Sequence, residues 1–288
     1  MSGQPPVRRT PNLSRRRFLA ASTLVLAGTS GVGWLESRPI QTTRNTLYLP
    51  NWDADGFKIA QVTDVHIDSP KSKSLARKAV ELAVAAKPDV IFFTGDFSTT
   101  GAMPTQEEIP YAFEPLRDAG CPCFAIFGNH DSINQSRLRR LDPLVRRHTA
   151  LKLLRNEVVD MDGVTIAGMD DALFGQHRPD VIVRDQASRS LIVLLHEPDF
   201  VTDMPSFSSL VLSGHSHGGE ICLPGGIPVH TPAGAKKLTV GFYPDATVPT
   251  YVSRGIGKIG PCRVYCPPEV ALFTVKKGDG PATIQCSA

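Results

Sequence analysis

Short apolar runs, each stopping abruptly at a polar cluster, recur along this 288-residue chain. Phe57–Ile67 (FKIAQVTDVHI) is apolar and β-branched until its end, where Asp64 and His66 appear. Val90–Thr94 stops at Gly95-Asp96, and Pro122–Phe127 stops at Gly128-Asn129-His130-Asp131. Leu191–Leu195 runs into His196, and Leu210–Ser213 into Gly214-His215-Ser216-His217. Runs of this length and composition predict strands buried on both faces, as in parallel sheets covered on each side. Between the early strands the period changes. Leu75, Ala79, Leu82, Ala83 and Ala86 recur at helical spacing, predicting a helix over Ser74–Lys87 closed by Pro88. Further helices are expected over residues 106–119 and 134–148, and a hairpin over 153–169 turning at Asp162-Gly163. Later β segments include Thr250–Ser253 and Val270–Val275. The fold class is α/β, with two packed mixed β-sheets flanked by helices.

Charge divides the chain. Residues 1–44 hold seven arginines against the single acid Glu36, leaving 24 basic and 27 acidic residues in the rest. A mildly acidic body excludes a general nucleic-acid surface, which depends on neutralising phosphates. The arginines precede an apolar stretch from Phe18 to Leu35, the layout of an export signal. Ser14-Arg15-Arg16-Arg17-Phe18-Leu19-Ala20 resembles the twin-arginine motif read by the Tat translocon. The expected organisation is a Tat-type signal or membrane anchor over residues 1–36, an irregular linker over 37–55 and one domain over 56–288. The leader implies a periplasmic or outer-face location, with cleavage and retention as an anchor both open. Six cysteines include no C-x-x-C pair, so structural zinc spacing is absent. Cys121 and Cys123 read as free thiols on one strand face, and Cys262 and Cys266 flank a loop where an oxidising compartment would let them pair.

The polar clusters share one chemistry. Two adjacent divalent cations need a bridging anion plus further oxygen or imidazole ligands. Asp96, directly after its strand, has two oxygens with which to bridge. Asp64 and His66 stand at i and i+2, on one side of a strand end, as do His215 and His217. Asn129 adds a neutral oxygen that leaves an anionic substrate unrepelled. Any one of these segments alone is weak, since G-D after a strand is usually a turn and a lone His is usually a buried core residue. Each of the five follows its own strand, which is what carries the reading. Asp170 and Asp171 favour a turn role over support of the site. Arg254 could contact a substrate phosphate or satisfy loop carbonyls.

The ordered series D-x-H, G-D, G-N-H-D, a lone His and G-H-x-H resembles the calcineurin-like metallophosphoesterase superfamily over about residues 57–275. Tyr251–Gly257 and Cys266-Pro267-Pro268-Glu269 resemble a branch of exported or membrane-associated members, some acting on UDP-diacylglucosamine in lipid A synthesis. The resemblance implies a four-layer α-β-β-α sandwich and two metals, with Mn²⁺, Fe and Zn²⁺ all compatible with the donors. It implies that Asp64, His66 and His217 hold one metal, that Asn129, His196 and His215 hold the other, and that Asp96 bridges. It implies attack on phosphorus by a metal-bridging hydroxide, with His130 as the leaving-group acid, on a phosphorylated small-molecule or lipid-linked substrate. Many relatives read G-D-x-x-D, the last Asp orienting the acid; here Thr99 stands in its place. Two alternatives stay open: a UDP-2,3-diacylglucosamine diphosphatase, and a non-catalytic metal-holding interaction module.

Overall fold

Buried apolar strands with no polar face must be covered on both sides, and that requirement sets the layering. The structure, a computed structural model, describes residues 39–147, 150–184 and 190–287; the Tat-type motif and apolar leader lie outside the described residues. One sheet has seven strands. Its central strands β2 (Phe57–Val62), β3 (Val90–Thr94), β4 (Cys123–Ile126) and β5 (Lys152–Leu153) are mutually parallel. On its other side lie β14 (Glu269–Lys277), β1 (Gln41–Leu49) and β15 (Thr283–Ser287). The second sheet has six strands: β6 (Glu157–Met161), β7 (Val164–Gly168), β8 (Ser190–Leu194), β9 (Leu210–Ser213), β12 (Gly241–Tyr243) and β13 (Thr250–Val252). Within it β7, β8, β9 and β13 are parallel. A small ribbon, β10 (Cys222–Leu223) with β11 (Ile227–Pro228), stands apart from both.

Alternation along each strand sorts the cores. Val90 and Phe92 join Phe124, Ile126, Ile192 and Leu194 in the layer between the sheets. Ile91 and Phe93 face outward onto α1 (Pro70–Ala85), α2 (Glu108–Phe113) and α4 (Gln135–Arg146), beyond the single turn α3 (Asn129–Ser132). Leu191, Val193 and Val211 face the outer side of the second sheet. There the cover is 3₁₀ turns at Pro179–Val181 and Pro198–Asp203 with loops, and no α-helix among the described residues. Gln61, fully buried, ties the sheets at their active edge: its Nε2 donates to Thr94 Oγ1 and to the Ser213 carbonyl, both at 2.9 Å. No helix among the described residues is long and apolar enough to cross a membrane.

Two expectations need correction, and one open alternative closes. Residues 41–49, read as linker, form β1 inside the large sheet, parallel to β14 from the far end of the chain. The period-two burial of Asn45, Leu47 and Leu49 was present but short, and its hydrogen-bond partners lie more than 220 residues away. The first helix begins earlier than Ser74, because Ser69 caps it, accepting from the Ser72 amide, with Pro70 in the first turn. Cys262 and Cys266 do not pair; the Cys266 thiol turns inward onto the His217 carbonyl at 3.1 Å.

If β1 is part of the fold, Leu47→Ala should cost about 2–5 kcal/mol through the cavity it leaves. Urea unfolding followed by circular dichroism measures this, and a change under 0.5 kcal/mol would restore the linker reading.

Candidate metal centre

Because β2, β3 and β4 are parallel, as are β8 and β9, the polar residues after them gather at one edge of the packed sheets. All of the predicted ligands meet there. Asp64, His66, Asp96 and His217 form one group with a donor atom from each within 4.8 Å of the others, and His196, Glu197 and His215 form a second. All seven of these residues are buried. Asp64, His66, Asp96, His215 and His217 adopt left-handed backbone, with φ between 45° and 68°. Such conformations are costly for residues with side chains and cluster at functional sites. Here they let the chain turn out of each strand within one or two residues. Gly128 permits a close approach: a β-carbon there would collide with Asp96 Oδ1 and His196.

The hydrogen bonds assign the lone pairs. His196 Nδ1 donates to the Thr94 carbonyl (2.7 Å), so its Nε2 carries the lone pair. That Nε2 faces Asp96 Oδ2 at 3.2 Å, and neither atom has a hydrogen-bond partner. Asp96 Oδ1 is already taken by the His130 amide at 3.0 Å. Oδ2 also lies 3.4 Å from His66 Nε2, so this one oxygen touches both groups. His215 donates from Nε2 to the Ala233 carbonyl (2.7 Å), leaving its Nδ1 lone pair 2.9 Å from Asn129 Oδ1. His66 Nε2 and His217 Nε2 lie 3.0 Å apart, a distance at which one ring donates to the other. Buried acceptors pointed at acceptors repel unless positive charge lies between them. Imidazole nitrogens and carboxylate oxygens in that arrangement suit divalent cations such as zinc, manganese or iron.

The electrostatics agree. Burial lowers His66 and His215 to about 4, and burial with the neighbouring His66 holds His217 well below the usual imidazole value. Those three rings are neutral and ready to ligate. Burial alone would lower His196 too, but the Asp96 charge outweighs it and raises His196 well above its ordinary value. In turn burial would raise Asp96, and the His196 charge holds it far below. A proton on His196 therefore stands where a cation would sit. Asp64 is pushed up to about 7 by burial.

Around this centre, four residues do work that sequence reasoning missed. Glu197, read past as part of LLHEPD, turns into the second group; its Oε2 accepts from the Ala172 amide (3.1 Å) and its Oε1 is unpartnered. Arg263, fully buried, donates to the carbonyls of Gly257, His217 and Arg254 and lies 3.2 Å from His217 Nδ1. It takes the carbonyl-satisfying role considered for Arg254. Asp131 accepts from the amides of Phe97, Ser98 and Gly128, tying two ligand loops together. Thr100 presents its amide (3.1 Å) and hydroxyl (2.6 Å) to His130 Nδ1. Thr99 does not touch His130: its hydroxyl donates to Asp68 (3.2 Å) and lies 3.4 Å from His66 Nδ1.

Arg254 sits beside Gly218 at the rim. Its Nε bonds Glu269 Oε2 at 3.1 Å, and Glu269 also accepts from Tyr251 (2.8 Å) and Thr43 (2.6 Å). Its two terminal nitrogens have no hydrogen-bond partner among the described residues. Asp170 and Asp171 hold the turn that follows β7, bonding Arg155 and the Phe174 amide.

The chain is similar to known proteins. The family model described as calcineurin-like phosphoesterase matches residues 57–219. An uncharacterized metallophosphoesterase of Bacillus subtilis, YkuE, is 32% identical over 92% of this chain and 98% of its own length. The Escherichia coli phosphodiesterase YaeI is 28% identical over 91% and 98%. The UDP-2,3-diacylglucosamine pyrophosphatase LpxG of Chlamydia trachomatis is 26% identical over 83% and 90%.

Since Asp96 Oδ2 touches both groups, Asp96→Asn should remove both bound metals together. Elemental analysis of the purified variant reads this directly; two metals per chain would refute it.

Proposed function

Because the chain belongs to the calcineurin-like phosphoesterase family and is a two-metal hydrolase of phosphoester bonds, we propose a division of labour among the residues of its site. Asp64, His66 and His217 would hold one cation and Asn129, His196 and His215 the other, with Asp96 placed to serve both. The observation that carries this is the unpartnered Asp96 Oδ2 between His66 and His196. When bound, the cations supply Lewis acidity, drawing charge from phosphoryl oxygens and acidifying water.

The protein's own groups do the rest. His130 Nδ1 accepts the Thr100 amide hydrogen, so the neutral ring carries its proton on Nε2. Nε2 has no partner among the described residues, and it is the atom from which a hydrogen bond reaches the departing oxygen. The Thr99 substitution therefore leaves the acid oriented, through the adjacent residue. The Glu269 carboxylate holds Arg254 by Nε, and its two terminal nitrogens are presented as a fork for a substrate phosphate. The non-catalytic module finds no support in this arrangement. Among substrates we favour a phosphodiester or phosphomonoester. A nucleotide–lipid pyrophosphate is the second reading, supported by the named activity of the chlamydial relative.

His130→Ala should keep both metals and slow hydrolysis by roughly 10²–10⁴-fold for poor leaving groups, and far less for p-nitrophenolate. Metal content and rates on a leaving-group series with Mn²⁺ test it. Loss of metal would make His130 a ligand, and equal slowing of every substrate would make it a phosphate binder.

We also propose export through Tat to the periplasm or the outer face of the cytoplasmic membrane, supported by Ser14–Ala20 and the apolar residues after them. Changing Arg15 and Arg16 to Lys should trap the protein in the cytoplasm, as read by cell fractionation. Export at an unchanged level would overturn it.

A further inference from the structure

Large apolar side chains in the open are scattered thinly over most of this protein, but one surface gathers six. Ile221, Leu223, Ile227, Val229, Ile259 and Tyr265 are each between 39% and 62% exposed. Three others, Tyr111, Phe174 and Val183, lie elsewhere. The six come from two segments that the backbone joins. Cys222 donates its amide to the Val264 carbonyl at 2.9 Å and Val264 donates to the Glu220 carbonyl at 2.8 Å. Glu220 Oε2 accepts from the Gly260 amide at 2.7 Å. The β10–β11 ribbon therefore stands against the 259–265 loop, turning at Gly225-Gly226, as one projecting unit. It starts at the metal loop itself. Gly219 follows His217 by two residues, and a β-carbon there would come within 2.5 Å of Pro228 on the ribbon.

Charge separates this surface from the rest of the body. The cations at this surface are the exposed Lys236 and Lys237 and the half-exposed Lys258, against the single acid Glu220; Arg263 is buried and Arg254 is paired with Glu269. The body as a whole is acidic, so this is a local reversal. Exposed apolar patches of this kind mark interaction sites. Apolar tips flanked by cations match an anionic lipid interface, where side chains enter the acyl boundary and cations meet headgroups. A protein partner would need a shaped apolar recess to seat the ribbon. A bilayer needs only depth and negative charge.

We propose that the β10–β11 ribbon and the 259–265 loop dock this protein on the surface of an anionic bilayer, with the metal centre at the contact edge. Docking presents a phosphate carried by a membrane-resident amphiphile to the rim at Arg254 without full extraction from the lipid. The docking surface stands on the six exposed side chains and the charge reversal; the choice of amphiphile rests on the phosphoesterase reading.

Hydrogen–deuterium exchange on the full chain, read by mass spectrometry, tests this locally, whatever the leader does. With phosphatidylcholine vesicles containing phosphatidylglycerol, amides of 221–229 and 259–265 should exchange roughly tenfold more slowly. Phosphatidylcholine alone should give less protection, and raised salt should weaken it. L223D/I227D should lose the protection while hydrolysing soluble bis-p-nitrophenyl phosphate at the parent rate; Ile227→Ser is the milder variant should the first not fold. No protection by vesicles, equal protection by the neutral lipid, or retention in the folded variants would each overturn the proposal. Segments already slow without vesicles would overturn it too, pointing to a second copy if the slowing grows with protein concentration and to the chain's own leader if it does not. Failure of both parent and variant on the soluble diester would strike the phosphoesterase reading and leave the docking result standing.

Discussion

A carboxylate oxygen shut away from water, facing imidazole nitrogens on two sides and satisfied only by positive charge placed between them, is the constraint around which this protein is built. Asp96 Oδ2 is that oxygen. Leaving such an atom unmet inside a protein costs several kcal/mol unless positive charge is supplied. Its partner oxygen is committed to the His130 amide, so rotation of the carboxylate offers no escape. The fold thus keeps a place for cations, and the neutral, desolvated rings of His66, His215 and His217 are ready to receive them.

Holding that arrangement against its own repulsion requires a stiff frame. Parallel strands buried on both faces provide most of it, since a shift of one residue would turn an entire apolar set into the wrong layer. Asp131 then gathers three loop amides under the Asp96 and Asn129 loops. Arg263 gathers the carbonyls under His217. These two buried side chains bind the ligand loops to one another where no regular secondary structure does so. The left-handed residues between them are strain that the frame sustains.

The rim differs from the centre in character. Inside, polar groups are buried and mutually oriented; outside, beyond Glu220, the ribbon residues Ile221, Leu223, Ile227 and Val229 are apolar and exposed. Thr100 and Arg254 mark the boundary, each presenting donors outward while anchored from behind.

The sequence by itself determined the order of strands and ligands, because a strand buried on both faces reads as an unbroken apolar run and the polar residues that end it stand out. It also marked the ligand types, since paired histidines among glycines have little use in a core. Tertiary structure alone decided what depends on distant segments meeting. β1 owes its place to β14 and β15, far along the chain, so its few apolar residues read as linker. Glu197 acquires its role only when the loop after β8 turns it toward His215, and Arg263 only when its loop folds under His217. Thr100 replaces the missing acid partner largely through its backbone amide, a group every residue but proline carries and no sequence pattern reveals. Side-chain identity is written in the chain, whereas the direction of a lone pair is settled by what the fold places beside it.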